Sequence, residues 1–380
     1  MKKKVLVFTG SRADYGILQR LIKQLKRERT FQTKILVGSH HFSSFYGNTF
    51  RQIKKDKINI DFFIKFSKNK ILKKDLINYL SRSLIAYKKI LEKYNPNIVI
   101  ILGDRYEALS LALCCFYLNI PIAHIHGGEV THGSLDDTQR HMISKLSSIH
   151  FPSHYEYKKR LIQLGENPKT IFNFGALGAH AISKMKLLKK SKIEKILNIK
   201  LNKKIILATF HPVTLEKNMS KYYIKNLIKF LSKLNDYNVI FTSPNFDNES
   251  NILKKEILNF EKKKDNIHFY KSLGSKMYIS LMKIAYLVIG NSSSGVLETP
   301  SFGVRTINIG NRQEGRIMSS NIINCNYDFN SINKAFLKSK NKSTKPCNPF
   351  LKKKTPFKMA KKILNFKFIL KKNFFDIGEN

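Results

Sequence analysis

The chain has 380 residues and a mass of 44.1 kDa, which exceeds one ordinary hydrophobic core and predicts about two to three domains. Hydrophobic residues make up 42% of the sequence, with 27 Phe and 16 Tyr, and this content excludes a wholly disordered chain even at a formal net charge of +43. The apolar runs are far shorter than the roughly 18 residues of a membrane span, and the first run lacks a small-residue cleavage site, so we interpret the protein as cytoplasmic.

Short apolar runs alternate with helical patterns through the first half of the chain. Strands are predicted at Lys4–Thr9, Thr33–Val37, Asn97–Leu102, Ile120–His126, Ser148–Pro152 and Thr170–Phe174. Apolar residues at helical spacing follow the first strand and recur at Leu76–Leu91 and Tyr106–Leu118. This strand–helix alternation predicts a parallel, doubly wound sheet.

The same alternation begins again in the second half. Strands are predicted at Ile205–Phe210, Asn238–Thr242, Ile267–Tyr270, Leu287–Gly290 and Thr306–Gly310. A glycine-rich hinge, Gly175–Gly178, separates the halves. The predicted fold class is therefore α/β, with two doubly wound, Rossmann-like domains at residues 1–178 and 179–350. A tail at residues 351–380 carries a basic amphipathic helix, which we expect to pack back on the first domain.

The positive charge is spread along the chain in short lysine groups, such as Lys2–Lys4, Lys189–Lys192 and Lys352–Lys354. Proteins that bind nucleic acid usually concentrate their charge and use arginine for bidentate contacts. The pattern therefore favours a lysine-rich proteome over a nucleic-acid function, although it would favour an anionic substrate.

Polar and ionisable residues gather directly after the predicted strands of both halves, where ligands bind in open α/β sheets. In the first half these residues are Arg12, Asp104, Arg105, His126, Glu129 and Asp136. In the second half they are His211, Asn245, the loop Gly290–Gly295 and Arg312. This placement predicts a ligand site at the carboxyl edge of each sheet.

The segment Gly290–Gly295 is a glycine- and serine-rich loop between a strand and a helix. Backbone N–H groups and serine hydroxyls there suit a phosphate or diphosphate, whereas the plainer interpretation is a serine-capped helix start. Glu298, one turn later, would accept from ribose hydroxyls or merely complement the helix dipole. The chain lacks P-loop and dinucleotide motifs, and Ser294 stands where a hydrolase elbow needs glycine.

His124 and His126 alternate along a predicted strand, which would place both rings on one face and could bind a metal. A metal amidohydrolase barrel would need the pair early in about eight βα units, and here it follows several strands. We therefore favour one buried and one site histidine and expect no metal.

Three carboxylates also follow the predicted strands of the first half. With His126 and His211 they could serve as acid and base, and they are Asp104, Glu129 and Asp136. Alternatively, Asp104 could simply pair with Arg105.

Eight segments together resemble the hydrolysing UDP-N-acetylglucosamine 2-epimerases, the sialic-acid precursor enzymes of bacterial capsules and lipooligosaccharide. They are Thr9–Gly16, Tyr46–Thr49, Gly103–Leu109, His124–Glu129, Asp136–His141, Glu156–Glu166, Phe210–Thr214 and Gly290–Arg316. The resemblance covers about residues 4–350 and implies a glycosyltransferase-B-like fold with its site in the cleft between two domains. It also implies chemistry without a cofactor or metal, a nucleotide-sugar substrate, and a homodimer or homotetramer.

The reaction that the resemblance implies begins with UDP-N-acetylglucosamine. A base removes the C2 proton while UDP leaves C1, and water adds to the resulting 2-acetamidoglucal to give free N-acetylmannosamine. Related enzymes perform this chemistry on UDP- or GDP-linked N,N′-diacetylbacillosamine for legionaminic acid. The segment Thr131–Leu135 varies in the family and borders the sugar, which leaves the hexosamine open.

The resemblance also implies roles for individual residues, all named by their numbers in this sequence. The catalytic group is Asp104, Glu129, Asp136 and His211, with the base that takes the C2 proton left open. The substrate- and nucleotide-binding group is Arg12, Arg105, His126, Asn245, Ser292, Ser293, Gly295, Glu298 and Arg312.

Four alternatives remain at this stage. A non-hydrolysing epimerase of the same fold would keep the sugar on UDP, but the amino-acid sequences of Gly10–Gly16 and His124–Glu129 favour the hydrolysing group. A glycosyltransferase would need an acceptor, and a nucleotide-sugar-binding regulator would bind without turnover. A basic RNA-binding protein would show strongly salt-dependent binding.

Overall fold

The computed structural model describes residues 2–44, 47–66, 75–131, 135–213, 216, 218–244, 249–341, 344–367 and 372–378. The chain divides into two compact units. The first consists of residues 1–130, 134–181 and 352–380, and the second of residues 131–133 and 182–351. Among the described helices, none is long and apolar enough to cross a membrane.

The first unit is built on a six-stranded parallel sheet. Its strands are β1 (Lys3–Thr9), β2 (Phe31–Val37), β3 (Phe62–Phe63), β4 (Ile98–Leu102), β5 (Ile122–Ile125) and β6 (Ile149–Phe151). They lie in the order β3-β2-β1-β4-β5-β6, so the chain connections diverge on either side of β1 and β4. At such a switch point the loops after the two strands leave a crevice in which ligands bind.

Helices connect these strands and cover the sheet. They are α1 (Arg12–Arg27), α2 (Phe50–Lys55), α3 (Leu76–Tyr94), α4 (Tyr106–Tyr117), α5 (Leu135–Leu146), α6 (Tyr155–Gln163) and α7 (Leu177–Ser183). The first begins with a capping box, in which Ser11 and Asp14 each bond the other's backbone N–H. Its buried face carries Leu18, Leu21 and Leu25, all fully buried, and each such side chain contributes about 1.5–3 kcal/mol to stability.

The second unit repeats the same plan. Its strands are β7 (Lys204–Thr209), β8 (Tyr237–Thr242), β9 (Ile267–Tyr270), β10 (Leu287–Gly290), β11 (Arg305–Ile309) and β12 (Ile322–Cys325). They form a parallel sheet in the order β12-β11-β10-β7-β8-β9, which is the order of the first sheet when each is counted from its own first strand. The switch point therefore lies between β7 and β10.

The helices of the second unit are α8 (Lys190–Leu197), α9 (Ser220–Leu231), α10 (Ser250–Glu261), α11 (Gly274–Ile284), α12 (Ser293–Leu297) and α13 (Phe329–Ser339). The last helix, α14 (Thr355–Asn365), belongs to the first unit, where Met359, Ala360 and Ile363 join the core cluster that α1 also enters. At its end, the Lys3 ammonium donates hydrogen bonds of 2.8 and 3.2 Å to the carbonyls of Ile363 and Leu364.

The α/β fold with two doubly wound parallel sheets that the sequence predicts is confirmed. The strand predicted at Thr170–Phe174 is wrong, because this segment forms only one isolated bridge, between Ile171 and His150. A 3-10 turn at Pro168–Thr170 precedes it, and the Phe172 N–H donates to the His150 carbonyl over 2.9 Å. The edge strand β6 has only three residues, so it has few backbone N–H and C=O groups with which a further strand could pair.

Candidate functional site

In the first unit, the loops after β4 and β5 continue the hydrogen bonding of the sheet by one residue beyond each strand. The Gly103 N–H donates to the Ile125 carbonyl over 3.0 Å, and the His126 N–H donates to the Phe151 carbonyl over 3.1 Å. These bonds place Asp104, which follows Gly103, beside the loop that begins at His126.

His124 is a structural histidine of this edge. It is fully buried, its Nε2–H donates to the Gly103 carbonyl over 2.7 Å, and its Nδ1 accepts from the Ser144 hydroxyl over 3.0 Å. Burial lowers its pKa to about 3, so the ring is neutral at physiological pH. The expectation of one buried histidine in this pair is therefore met by His124.

His126 lies beyond the strand, because β5 ends at Ile125. Its backbone is left-handed with φ of 66°, so the prediction that both histidine rings share one strand face is wrong. Its Nδ1 lies 3.0 Å from Glu129 Oε1, and its Nε2 is buried without a hydrogen-bond partner in the described part of the chain. A non-glycine residue in this conformation stores strain and is often functional.

Glu129 is 8% exposed, and two side chains contact its carboxylate. The Ser153 hydroxyl, which follows β6, donates to Oε1 over 2.8 Å, and the His126 ring contacts the same oxygen. The Glu129 backbone carbonyl accepts from the Arg140 guanidinium over 2.8 Å. Ser153 therefore contacts the Glu129 carboxylate while Arg140 contacts its backbone carbonyl, so both parts of Glu129 are held by residues from later elements.

Arg140 connects this loop to Asp104. It is 4% exposed, and besides Glu129 its guanidinium hydrogen-bonds the Asp104 carboxylate and lies 3.6 Å from Asp137 Oδ1. Asp104 therefore pairs with Arg140, and the suggested pair with Arg105 is not formed. Arg140 lies in the segment Asp136–His141 that carries the family resemblance, but neither Arg140 nor Ser153 was predicted as a site residue. A signal for Arg140 was its position three residues after an acidic pair in a helix, where side chains share a face.

Asp136 occupies the first turn of α5, four residues before Arg140, and its side chain is exposed. Arg12, the first residue of α1, is also exposed. Arg105 caps α4 and contacts a buried carboxylate, with its guanidinium 3.3 Å from Glu107 and 2.7 Å from His40 Nδ1. Burial is the largest single influence and would lower the pKa of Arg105, but the charges of Glu107 and Asp14 and the hydrogen bond to Glu107 together outweigh it and raise that pKa.

In the second unit, the switch point between β7 and β10 is unusually tight. Gly290 pairs with Thr209 and has φ of 137°, and a Cβ there would lie 1.9 Å from the Thr209 carbonyl oxygen. Beyond the strands, the His211 N–H donates to Asn291 Oδ1 over 2.7 Å, and Asn291 Nδ2 donates to the His211 carbonyl over 2.8 Å. Asn291 belongs to the predicted loop Gly290–Gly295 but was given no role of its own, and it fixes the backbone of the predicted site histidine.

His211 itself is 6% exposed. Burial, together with the nearby Arg312 charge, lowers its pKa to about 3, so its ring is neutral. Arg312 NH1 donates to the Asn291 carbonyl over 3.2 Å, and Gln313 Nε2 donates to the same oxygen over 3.0 Å. The loops after β7, β10 and β11 thus converge on Asn291.

The loop after β10 has the features of a capped helix start. Ser292 is the N-cap of α12 and accepts from the Ser294 N–H over 3.4 Å, while the Ser294 hydroxyl lies 2.7 Å from the Tyr278 hydroxyl. Ser293 is the first helical residue, and a Cβ on Gly295 would lie 3.3 Å from the Thr306 methyl. The capped-helix interpretation is therefore confirmed, and it leaves the phosphate interpretation open.

Glu298 is partly buried at the end of α12, and burial raises its pKa to about 7.

Asn245 lies outside the described residues, as do residues 132–134 of the segment expected to border the sugar. Within the part of the chain that the structure describes, no three His, Cys, Asp or Glu side chains come together as metal ligands.

Comparison with known proteins relates this arrangement to one family. The sequence model described as UDP-N-acetylglucosamine 2-epimerase matches residues 23–364. The chain is 39% identical to the GDP/UDP-N,N′-diacetylbacillosamine 2-epimerase (hydrolyzing) of Campylobacter jejuni, over 99% of this chain and 100% of that protein. It is 37% identical to polysialic acid biosynthesis protein P7 of Escherichia coli, over 87% of this chain and 84% of that protein.

Solved structures extend the likeness to the fold. The crystal structure of UDP-GlcNAc 2-epimerase from Neisseria meningitidis bound to UDP-GlcNAc superposes with a TM-score of 0.83 at 18% identity. The match covers 96% of this chain and 100% of that chain.

Proposed function

Because the chain belongs to the UDP-N-acetylglucosamine 2-epimerase family, we propose that it is a hydrolysing 2-epimerase of a nucleotide-linked 2-acetamido sugar. It releases the nucleoside diphosphate and the free sugar with inverted configuration at C2. The observation that carries this proposal is the 39% identity, over 99% of the chain, to a relative named as a hydrolyzing 2-epimerase.

The reaction divides into an elimination and a hydration. In the elimination, a base takes the C2 proton, the C2–H electron pair forms the C1=C2 bond, and the C1–O pair leaves with the diphosphate. In the hydration, water supplies the hydroxyl at C1 and a proton returns to C2 on the other face. Each step needs a positioned proton carrier, and the leaving diphosphate needs fixed positive charge.

The carboxylates that we assign to the reaction lie in the first unit. Asp104 is fixed by Arg140, and Glu129 is fixed by Ser153 and His126, so both carboxylates have defined orientations. Asp136, in the first turn of α5, is the third carboxylate that we assign to the reaction. Arg12 and Arg105, at the ends of the adjacent strands β1 and β4, supply the positive charge for the departing diphosphate.

Nucleotide binding is assigned to the second unit, at the crevice between β7 and β10. Ser292, Ser293 and Gly295 offer hydroxyls and backbone N–H groups to the phosphates, with His211 and Arg312 beside them. Glu298 accepts from the ribose hydroxyls. Its raised pKa of about 7 would fall on binding, because hydrogen bonds donated to a carboxylate favour the charged form. Asn245 is retained as a further substrate contact.

For the sugar, we propose N,N′-diacetylbacillosamine carried on UDP or GDP, following the relative that matches 99% of the chain. N-acetylglucosamine on UDP, giving free N-acetylmannosamine for sialic-acid synthesis, is the second candidate. It is supported by the 37% identity to a polysialic acid biosynthesis protein.

The test is proton NMR of the purified protein in D₂O with each of the three nucleotide sugars in separate tubes. We expect free sugar deuterated at C2, together with the free nucleoside diphosphate, and fastest turnover with a diacetylbacillosamine substrate. Asp104→Asn should lower turnover by about 10²–10⁴-fold. Glu156→Gln, a change of an exposed carboxylate that lies 3.2 Å from the exposed Lys159 ammonium, is the matched control. A product that stays linked to the nucleotide would refute the hydrolysing assignment.

A further inference from the structure

His126 carries two features that cost free energy and that the fold does not require. Its backbone is left-handed, with φ of 66°, at a position that glycine would occupy without strain. Its Nε2 is buried, and none of the described residues offers it a hydrogen bond. Buried unpaired ring nitrogens and strained backbone persist where function needs them.

The neighbours of the ring determine which nitrogen holds the proton. Glu129 Oε1 lies 3.0 Å from His126 Nδ1 and also accepts from the Ser153 hydroxyl over 2.8 Å. A carboxylate only accepts, so Nδ1 donates its proton to it. In the neutral ring, Nε2 is then the basic nitrogen, with its lone pair free to accept a proton.

Building on the proposed epimerase function, we propose that His126 is the catalytic base that removes the C2 proton and that Glu129 is a positioning residue. The Nε2 lone pair takes the proton, the C2–H pair becomes the second C1–C2 bond, and the C1–O pair leaves with the diphosphate. Glu129 fixes the tautomer and stabilises the imidazolium that forms, as a buried carboxylate does for the histidine of serine proteases. His126 is then a catalytic residue, whereas the family resemblance implied only a substrate-binding role for it.

The left-handed backbone makes His126→Gly a suitable test variant, since glycine adopts this conformation and its small size leaves room for added imidazole. Diphosphate release and C2 deuteration are followed with and without imidazole. We expect kcat to fall by about 10²–10⁴-fold, with KM within about threefold. Added imidazole should raise the kcat of His126→Gly by about tenfold or more, because it replaces the missing general base.

Glu129→Gln separates positioning from proton removal. The amide oxygen still accepts from Nδ1 and Ser153 but has no charge for the imidazolium, so we expect kcat to fall by less than in His126→Gly, without rescue by imidazole. Should the glycine variant fail to fold, which circular dichroism and UDP binding would reveal, His126→Gln repeats the kcat measurement without the imidazole rescue, because the glutamine side chain occupies the space that imidazole would need.

Three outcomes would overturn the proposal while the wild-type protein remains active. They are a kcat of His126→Gly within tenfold of wild type, a loss that imidazole does not rescue, and an accumulation of glucal, which would move His126 to the hydration step. A wild-type protein that turns over none of the nucleotide sugars would instead refute the epimerase function itself.

Discussion

Arg140 is the residue whose replacement should affect the first unit most clearly. It donates one hydrogen bond to the Asp104 carboxylate and one to the Glu129 backbone carbonyl, and it is 4% exposed. Both bonds are donated by the charged guanidinium, and a hydrogen bond that involves a charged group contributes about 1.5–3 kcal/mol. The Asp104 side chain is 22% exposed, so water compensates for part of the loss. We expect Arg140→Met to lower the free energy of unfolding by about 2–3 kcal/mol.

The assay is urea denaturation followed by far-UV circular dichroism, since the chain has no Trp to report by fluorescence. Arg140→Lys should show an intermediate loss, because an ammonium keeps the charge but lacks the planar fork that reaches both partners. Arg27→Met, in the exposed last turn of α1, is the matched control, with an expected change within about 0.5 kcal/mol. Equal stability losses in Arg140→Met and Arg27→Met would refute the network.

Three further predictions concern single residues. Gly290→Ala should lower the melting temperature sharply, because its Cβ would lie 1.9 Å from the Thr209 carbonyl oxygen, and a melting temperature equal to wild type would contradict that approach. Glu298 has a pKa of about 7 in the folded chain against 4.5 for the free group, so the folded state binds the extra proton between these values and stability falls as pH rises through them. Glu298→Gln should remove this fall, and urea titrations at pH 5 and pH 8 that change equally in variant and wild type would disprove it. Asp104→Asn should lower kcat by about 10²–10⁴-fold with UDP affinity within about threefold, and calorimetry showing lost UDP affinity would point to a structural role instead.

The alternation of short apolar runs with helical patterns was enough to predict both sheets, because buried parallel strands and amphipathic helices leave strong periodic signals. The same logic placed the ionisable residues after the strands. It could not identify the partner of Asp104, since Arg140 lies 36 residues later and reaches it only through the packing of α5. Nor could it foresee that β5 stops at Ile125, because alternation carries no information on where a strand turns left-handed. The roles of these residues remain predictions.

The placement of α14 has a consequence for how the chain folds during synthesis. Met359, Ala360 and Ile363 complete the core of the first unit, and Lys3 binds carbonyls at the end of the same helix. The ribosome therefore produces the whole second unit before the first unit has all its parts. Until then, the apolar face of α1 that α14 covers is exposed on the nascent chain, where such surface favours aggregation. The core of the first unit is thus completed only after the second unit has been synthesised.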